Sequence, residues 1–272
     1  MGGKAAGSGF DFQSRVNAFV AAHMLARRQL RWTRLATRDV PISMQAESGR
    51  GGDDVRVELA DSSVIYECQA KKTLFNDARL AEAADKFAGL AGTPMERGIL
   101  IVDPGSGGTI KTELRDALDA WRDGTGPAIR GALETVHERL TAASAVSVLE
   151  RLSVEVLDLE QDASPGAEVA ALMLAPLLKD GNMAGAAWRV LISDGLTLCR
   201  TAASATETPL SRCSSRNTCT WSRMSLRAER RFLKRCWLNF RGSPIRSLRC
   251  RRARRRQGRI GWAHSLTRQR LS

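Results

Sequence analysis

Four residues within GDDVRVELADSSVIYECQAKK, positions 52–72, have types and spacing that could carry out chemistry: Asp54, Glu67, Gln69 and Lys71. Side chains alternate between the two faces of a strand, so Glu67, Gln69 and Lys71 share one face if this segment is extended. Fifteen residues separate Asp54 from Gln69, enough for one strand, a tight turn and a returning strand. That hairpin sets a carboxylate beside an amide oxygen and an ammonium. Metal-dependent phosphodiester cleavage needs hard oxygen ligands for Mg²⁺ and a group that positions water. Asp54 offers a carboxylate oxygen, Gln69 a neutral and weaker carbonyl oxygen, and Glu67 a second carboxylate. Lys71 could orient the attacking water and stabilise developing charge. The bland alternative is a polar row on a solvated sheet face.

The surrounding pattern supplies elements to hold these residues. Phe12, Val16, Phe19, Val20 and Leu25 recur near helical spacing, which predicts a helix over 10–29 behind a flexible lead of nine residues. A short strand is expected over 40–44 and a Gly-rich turn over 47–52. Val55, Val57 and Leu59 alternate with Asp54, Arg56 and Glu58, as in a half-buried strand. Its partner runs over 64–70. Leu80, Ala83, Ala84, Phe87 and Leu90 mark an amphipathic helix over 77–90. An apolar strand over 97–102 and a helix over 110–121 follow. The order is helix, three strands, helix, strand, helix, an α/β arrangement. Past residue 124 the pattern predicts mainly helices, over 129–142, 164–178 and 183–202, with a possible strand within 146–159. The expected division is therefore a core over 8–124, a helical extension over 125–202 and a tail over 203–272.

GFDFQSRVNAFVAAHML followed by DDVRVEL and YECQAKK resembles the PD-(D/E)xK nuclease superfamily, in the QxK form of Mrr-like restriction enzymes. More narrowly it is similar to a double-stranded-DNA endonuclease domain of bacterial anti-phage proteins, namely effectors of cyclic-oligonucleotide (CBASS) systems and the N-termini of STAND NTPases. The resemblance spans roughly residues 8–200. It implies a restriction-endonuclease-like mixed sheet flanked by helices, Mg²⁺ or Mn²⁺ as cofactor and double-stranded DNA as substrate. It also implies self-association or a missing sensor or NTPase module as partner. By the resemblance, Asp54, Gln69 and Lys71 take the catalytic positions, with Asp53 in place of Asp54 if the register slips by one. Asp54, Gln69 and Glu67 would hold the metal. Gln13 falls where some members place an acidic ligand.

A second candidate is DPGSGGTIKT at 103–112, a near miss to the phosphate-binding GxxxxGK[ST] loop. Ile110 stands where that loop needs glycine, and its β-branched side chain obstructs the backbone curl that aims amides at phosphate. A strand-to-helix connection is the simpler reading, and a nucleotide-binding protein the rival one. His23, on the apolar first helix, is expected to be packed there. Cys68 and Cys199 are isolated on apolar segments, and no CxxC pair occurs in the chain. Neither a disulfide framework nor a thiolate metal site is expected.

The net charge of +13 invites a nucleic-acid reading, but it is unevenly placed. Residues 203–272 carry 19 basic and 2 acidic side chains, and residues 1–202 carry 23 and 27, a net of −4 for the body. The tail reads either as a basic nucleic-acid-binding segment around Arg251–Arg256 or as out-of-frame translation of a high-GC gene. The second reading implies a different native sequence beyond about residue 203. The longest apolar run, 169–178, is too short to cross a bilayer, and the N-terminus lacks a secretory pattern. A cytoplasmic protein is expected.

Overall fold

A computed structural model of the chain describes residues 3–32, 39–46, 54–60 and 64–206. The tail from 207 onward, with its basic run and cysteines, lies outside the described residues, as does Asp53.

One five-stranded mixed sheet forms the centre, in the order β1 (Pro41–Ala46), β2 (Val55–Leu59), β3 (Ile65–Lys71), β4 (Glu96–Val102), β5 (Leu152–Val156). The first three strands are an antiparallel meander, as their short connections require. β4 and β5 run parallel to β3, each reached through a helical crossover. The expected α/β class and mixed sheet flanked by helices are therefore observed.

The alternation along β2 is real: Val55, Val57 and Leu59 are buried, while Arg56 and Glu58 are more open. Together with Tyr66, Cys68, Ala70, Ile99 and Ile101 they form the sheet side of a core closed by α1 (Gly3–Ala26), α5 (Pro165–Leu174) and α6 (Ala184–Thr206). The opposite core joins Leu100, Val102, Leu152 and Val154 to α2 (Ala78–Ala88), α3 (Arg115–Arg122) and α4 (Ala132–Ala142). The result is three layers, with helices on both faces of the sheet. Asp77 caps α2, its carboxylate accepting the Arg79 backbone N–H at 2.9 Å.

Several boundaries differ from expectation. α1 begins at Gly3 instead of after a nine-residue lead. The helix expected through 178 ends at Leu174, where Pro176 lies in a following 3₁₀ turn; proline cannot donate the next helical hydrogen bond. The helix expected over 110–121 opens with a π-helical stretch, Thr109–Leu114. The possible strand within 146–159 is β5, so residues 125–202 add a strand to the sheet as well as supplying helices. α6 lies close against α1: a Cβ on Gly195 would stand 2.6 Å from the Ser14 carbonyl oxygen.

Candidate active site

β2 and β3 pair with Val55 opposite Cys68 and Arg56 opposite Glu67. The same register brings Asp54, just ahead of β2, to the end of β3. Its carboxylate Oδ2 accepts the Ala70 backbone N–H at 2.7 Å and lies 3.5 Å from Lys71 Nζ. Asp54 and Lys71 thus form an ion pair at the mouth of the hairpin, with side chains 12% and 23% exposed. Gln69, fully buried, lies between Cys68 and Ala70, the two residues through which β3 is joined to Val55 and Asp54. Helix α1 reaches the same point. Gln13, itself buried, donates from Nε2 to the Asp54 carbonyl oxygen at 3.1 Å.

Glu67 behaves differently from expectation. It is fully buried and paired with the Arg56 guanidinium, which also reaches Glu96 Oε1 at 2.8 Å. Glu96 in turn accepts from the Thr93 hydroxyl at 2.6 Å. Burial works against the Arg56 charge, but hydrogen bonding to Glu96 and the charge of Glu67 outweigh it and hold the guanidinium above its ordinary pKa. Glu67 therefore joins β2, β3 and β4 through an internal charge network instead of standing beside Asp54 as a second carboxylate.

Asp54 and Gln69 remain as the donor set, one carboxylate and one amide oxygen. Among the described residues no group of three or more His, Cys, Asp or Glu side chains forms a cage for a metal ion. A closed protein cage is not what Mg²⁺ usually requires. It keeps several waters and takes one or two carboxylates together with substrate phosphate oxygens. In number and type, one carboxylate and one amide oxygen match the few protein donors that such an open site uses.

The 103–112 segment connects the end of β4 to the π-helical stretch. Four of its amides are already engaged: Ser106 N–H donates to Asp103 O, Gly107 N–H to Leu74 O, and Ile110 and Lys111 N–H to Gly107 O. Lys111 Nζ donates to Pro104 O at 2.5 Å. A phosphate loop needs these donors turned outward, and here they hold the loop to itself and to the segment after β3. His23 is packed as expected, 4.6 Å from the Phe19 ring, and burial lowers its pKa. Cys68 is an inert core thiol: burial pushes its pKa well up, with the charges of Glu67 and Asp54 adding to the effect.

Sequence spacing does not reveal where three further acids stand. Asp103 lies just beyond the carboxyl end of β4, the edge of a parallel sheet where functional groups commonly collect. Lys72 pairs with Glu160 at 2.8 Å, and Arg15 lies 3.7 Å from Asp162. Both acids belong to the β5–α5 connection, which sequence alone brings neither to the end of β3 nor to α1. No family model matches the chain, and comparison with curated proteins and with solved structures likewise gives no match.

Proposed function

We propose that this protein is a metal-dependent double-stranded DNA endonuclease of the PD-(D/E)xK type, in its QxK form, serving as the effector part of a bacterial anti-phage protein. The observation that carries the reading is the Asp54 carboxylate seated between the Ala70 amide and the Lys71 ammonium. An upstream acid, a buried amide and a lysine are thereby brought to one end of a hairpin. When bound, Mg²⁺ or Mn²⁺ would polarise the scissile phosphate and acidify its water. Asp54 and Gln69 would hold it. Lys71 orients the attacking water and offsets the charge that develops on the phosphate. Gln13 fixes the Asp54 backbone from the other side.

The test is supercoiled plasmid incubated with Mg²⁺ and either the full-length protein or its Lys71→Ala variant. The expected outcome is loss of at least about 100-fold in nicking rate, the scale for removing a preorganised charge-stabilising group. Equal nicking by both proteins removes Lys71 from the mechanism.

A second reading has specific support: Gln69 is neutral and Glu67 is committed to Arg56. A catalytically weak module that binds DNA or a partner would use the same fold without turnover. Calorimetry with Mn²⁺ separates the two, since a working site binds the ion and loses it on Asp54→Ala. The third possibility, nucleotide binding through 103–112, would require Lys111 to leave Pro104 O, and ATP affinity lost on Lys111→Ala would be its signature. For the nuclease reading, the body's net charge of −4 over residues 1–202 argues that DNA engagement needs self-association or a sensor or NTPase module.

A further inference from the structure

The loop that resembles a phosphate-binding segment has a different task in this fold. Thr73 adopts φ +53°, a left-handed conformation that is unfavourable for a β-branched residue. It lies two residues beyond Lys71, where β3 leaves the sheet. A turn that only had to change direction would be served by Gly or Asn. Here the strained residue is held from several sides. Its backbone N–H donates to Asp103 Oδ1 at 2.7 Å, and its carbonyl accepts from Arg79 Nη2 at 2.5 Å. The same Asp103 oxygen accepts the Ser106 hydroxyl at 2.8 Å, and Ser106 Oγ accepts the Leu74 backbone N–H at 2.9 Å. Gly107 N–H closes the circuit by donating to Leu74 O at 2.8 Å. Asp103 and Ser106 are each only 3% exposed. Gly105 is part of the fit, because a Cβ there would stand 3.1 Å from Asp103 Oδ2.

The end of β3 is thus bracketed by two carboxylates. Asp54 binds the amide before Lys71, at Ala70, and Asp103 binds the amide at Thr73, two residues after Lys71. We propose that Asp103 and Ser106 are positioning residues, the loop after β4 clamping the left-handed turn at Thr73 and so fixing where the Lys71 ammonium stands relative to Asp54. Lysine is a point charge on a long flexible stem, and the direction of its backbone limits what that stem can reach. Strain of this kind persists only where surrounding bonds impose it. The consequence for activity rests on the nuclease reading; the clamp itself rests on the bonds at Thr73 and Leu74.

The test uses full-length protein and single-turnover cleavage of plasmid at saturating DNA, with DNA affinity measured separately. Asp103→Ala should lower the cleavage rate constant by about 10- to 100-fold, the range expected when a reacting group is displaced by about an ångström. DNA affinity should stay within about twofold, because no contact with DNA is removed. Asp103→Asn, which keeps an acceptor oxygen, should recover most of the rate. Adding Thr73→Gly to Asp103→Ala should also restore activity, since glycine enters the left-handed region without strain. A rate equal to wild type in Asp103→Ala, or a loss that neither change rescues and that follows the melting temperature, overturns the proposal. If Asp103→Ala does not fold, Ser106→Ala gives the same readout while leaving the bond between Thr73 and Asp103 in place. If the wild-type protein cleaves nothing, the nuclease reading fails and amide exchange decides about the clamp. Thr73 and Leu74 amides should be protected in wild type and selectively exposed in Asp103→Ala, whereas unchanged exchange at both refutes it.

Discussion

Replacing Arg56 with leucine should turn the internal charge network against the fold. In the native chain one guanidinium serves Glu67 and Glu96, whose side chains are 0% and 5% exposed, and is itself 13% exposed. Without it, two desolvated carboxylates face each other across β3 and β4. Removing one partner of a buried ion pair costs about 3–5 kcal/mol, a large part of the roughly 5–15 kcal/mol that holds a domain of this kind together. The loss should depend on pH with a definite sign. In the variant the two carboxyls have folded-state pKa values raised above their unfolded value of about 4.3. Raised acids bind more protons in the folded state, so the variant regains stability relative to wild type as pH falls from 7 towards that unfolded value. The slope is about 1.4 kcal/mol per pH unit for each proton taken up. Urea unfolding followed by far-ultraviolet circular dichroism at pH 5.5 and 7.5 measures both quantities. Adding Glu67→Gln and Glu96→Gln should flatten the pH dependence. A penalty under about 1 kcal/mol at pH 7.5, unchanged at pH 5.5, would show that water screens these carboxylates and that the network is not truly internal.

Other outcomes test separate parts of the molecule. Burial, opposed by Arg115 and reinforced by Asp119, raises the Glu155 pKa to about 7; stability from this group is complete below the unfolded pKa of about 4.5 and is lost as pH rises towards 7. Glu155→Gln should therefore stabilise the protein at pH 8 relative to pH 4.5 by on the order of 1–3 kcal/mol, read from urea midpoints, and a pH-independent effect would refute it. Hydrogen bonding to Glu160 raises the Lys72 pKa against the pull of burial; on the proposed nuclease reading, Glu160→Gln should release that ammonium for DNA phosphate. Fluorescence anisotropy should then show affinity rising about two- to fivefold and the salt slope steepening by about one; an unchanged slope places Lys72 outside the DNA contact. Gly195→Ala would put a methyl group against the Ser14 carbonyl and should destabilise the fold by about 1–3 kcal/mol, measured by urea unfolding. On the proposed nuclease reading it should also weaken Mn²⁺ binding in calorimetry, because Ser14 adjoins Gln13, whereas intact stability would mean that α1 and α6 separate easily.

The legible parts of the fold were those with a single dominant period. Val55, Val57 and Leu59 set against Arg56 and Glu58 announce a half-buried strand, and Leu80, Ala83, Ala84 and Phe87 announce the buried side of α2. β5 was harder because VSVLERLSVEV runs from a 3₁₀ stretch directly into five strand residues, so helical and strand spacings overlap within one apolar segment. The start of α1 went unread because Gly3 and Gly7 are poor helix formers. Local preference is only a weak guide where the tertiary fold supports the helix. Asp103 was invisible as a site neighbour for another reason: its partner Thr73 lies thirty residues earlier, across a parallel crossover that no local pattern measures.

The pairing of Glu67 with Arg56 is a contact that the sequence already contains the information to place. In an antiparallel hairpin the positions of paired residues have a constant sum. The register that carries Asp54 towards Gln69 therefore sets Arg56 opposite Glu67, as observed. An arginine with only 13% of its side chain exposed stands across from Glu67 and competes for that carboxylate with any metal near Gln69. The arginine must be neutralised from within, because a lone guanidinium at that depth would carry a large desolvation penalty. Glu96 enters by the same logic: β4 lies on the other side of β3, and its first residue is 2.8 Å from the guanidinium. One hairpin register thus separates the row of polar side chains into two groups with different partners. Its open end pairs Asp54 with Lys71, and its closed interior commits Glu67 to holding three strands together.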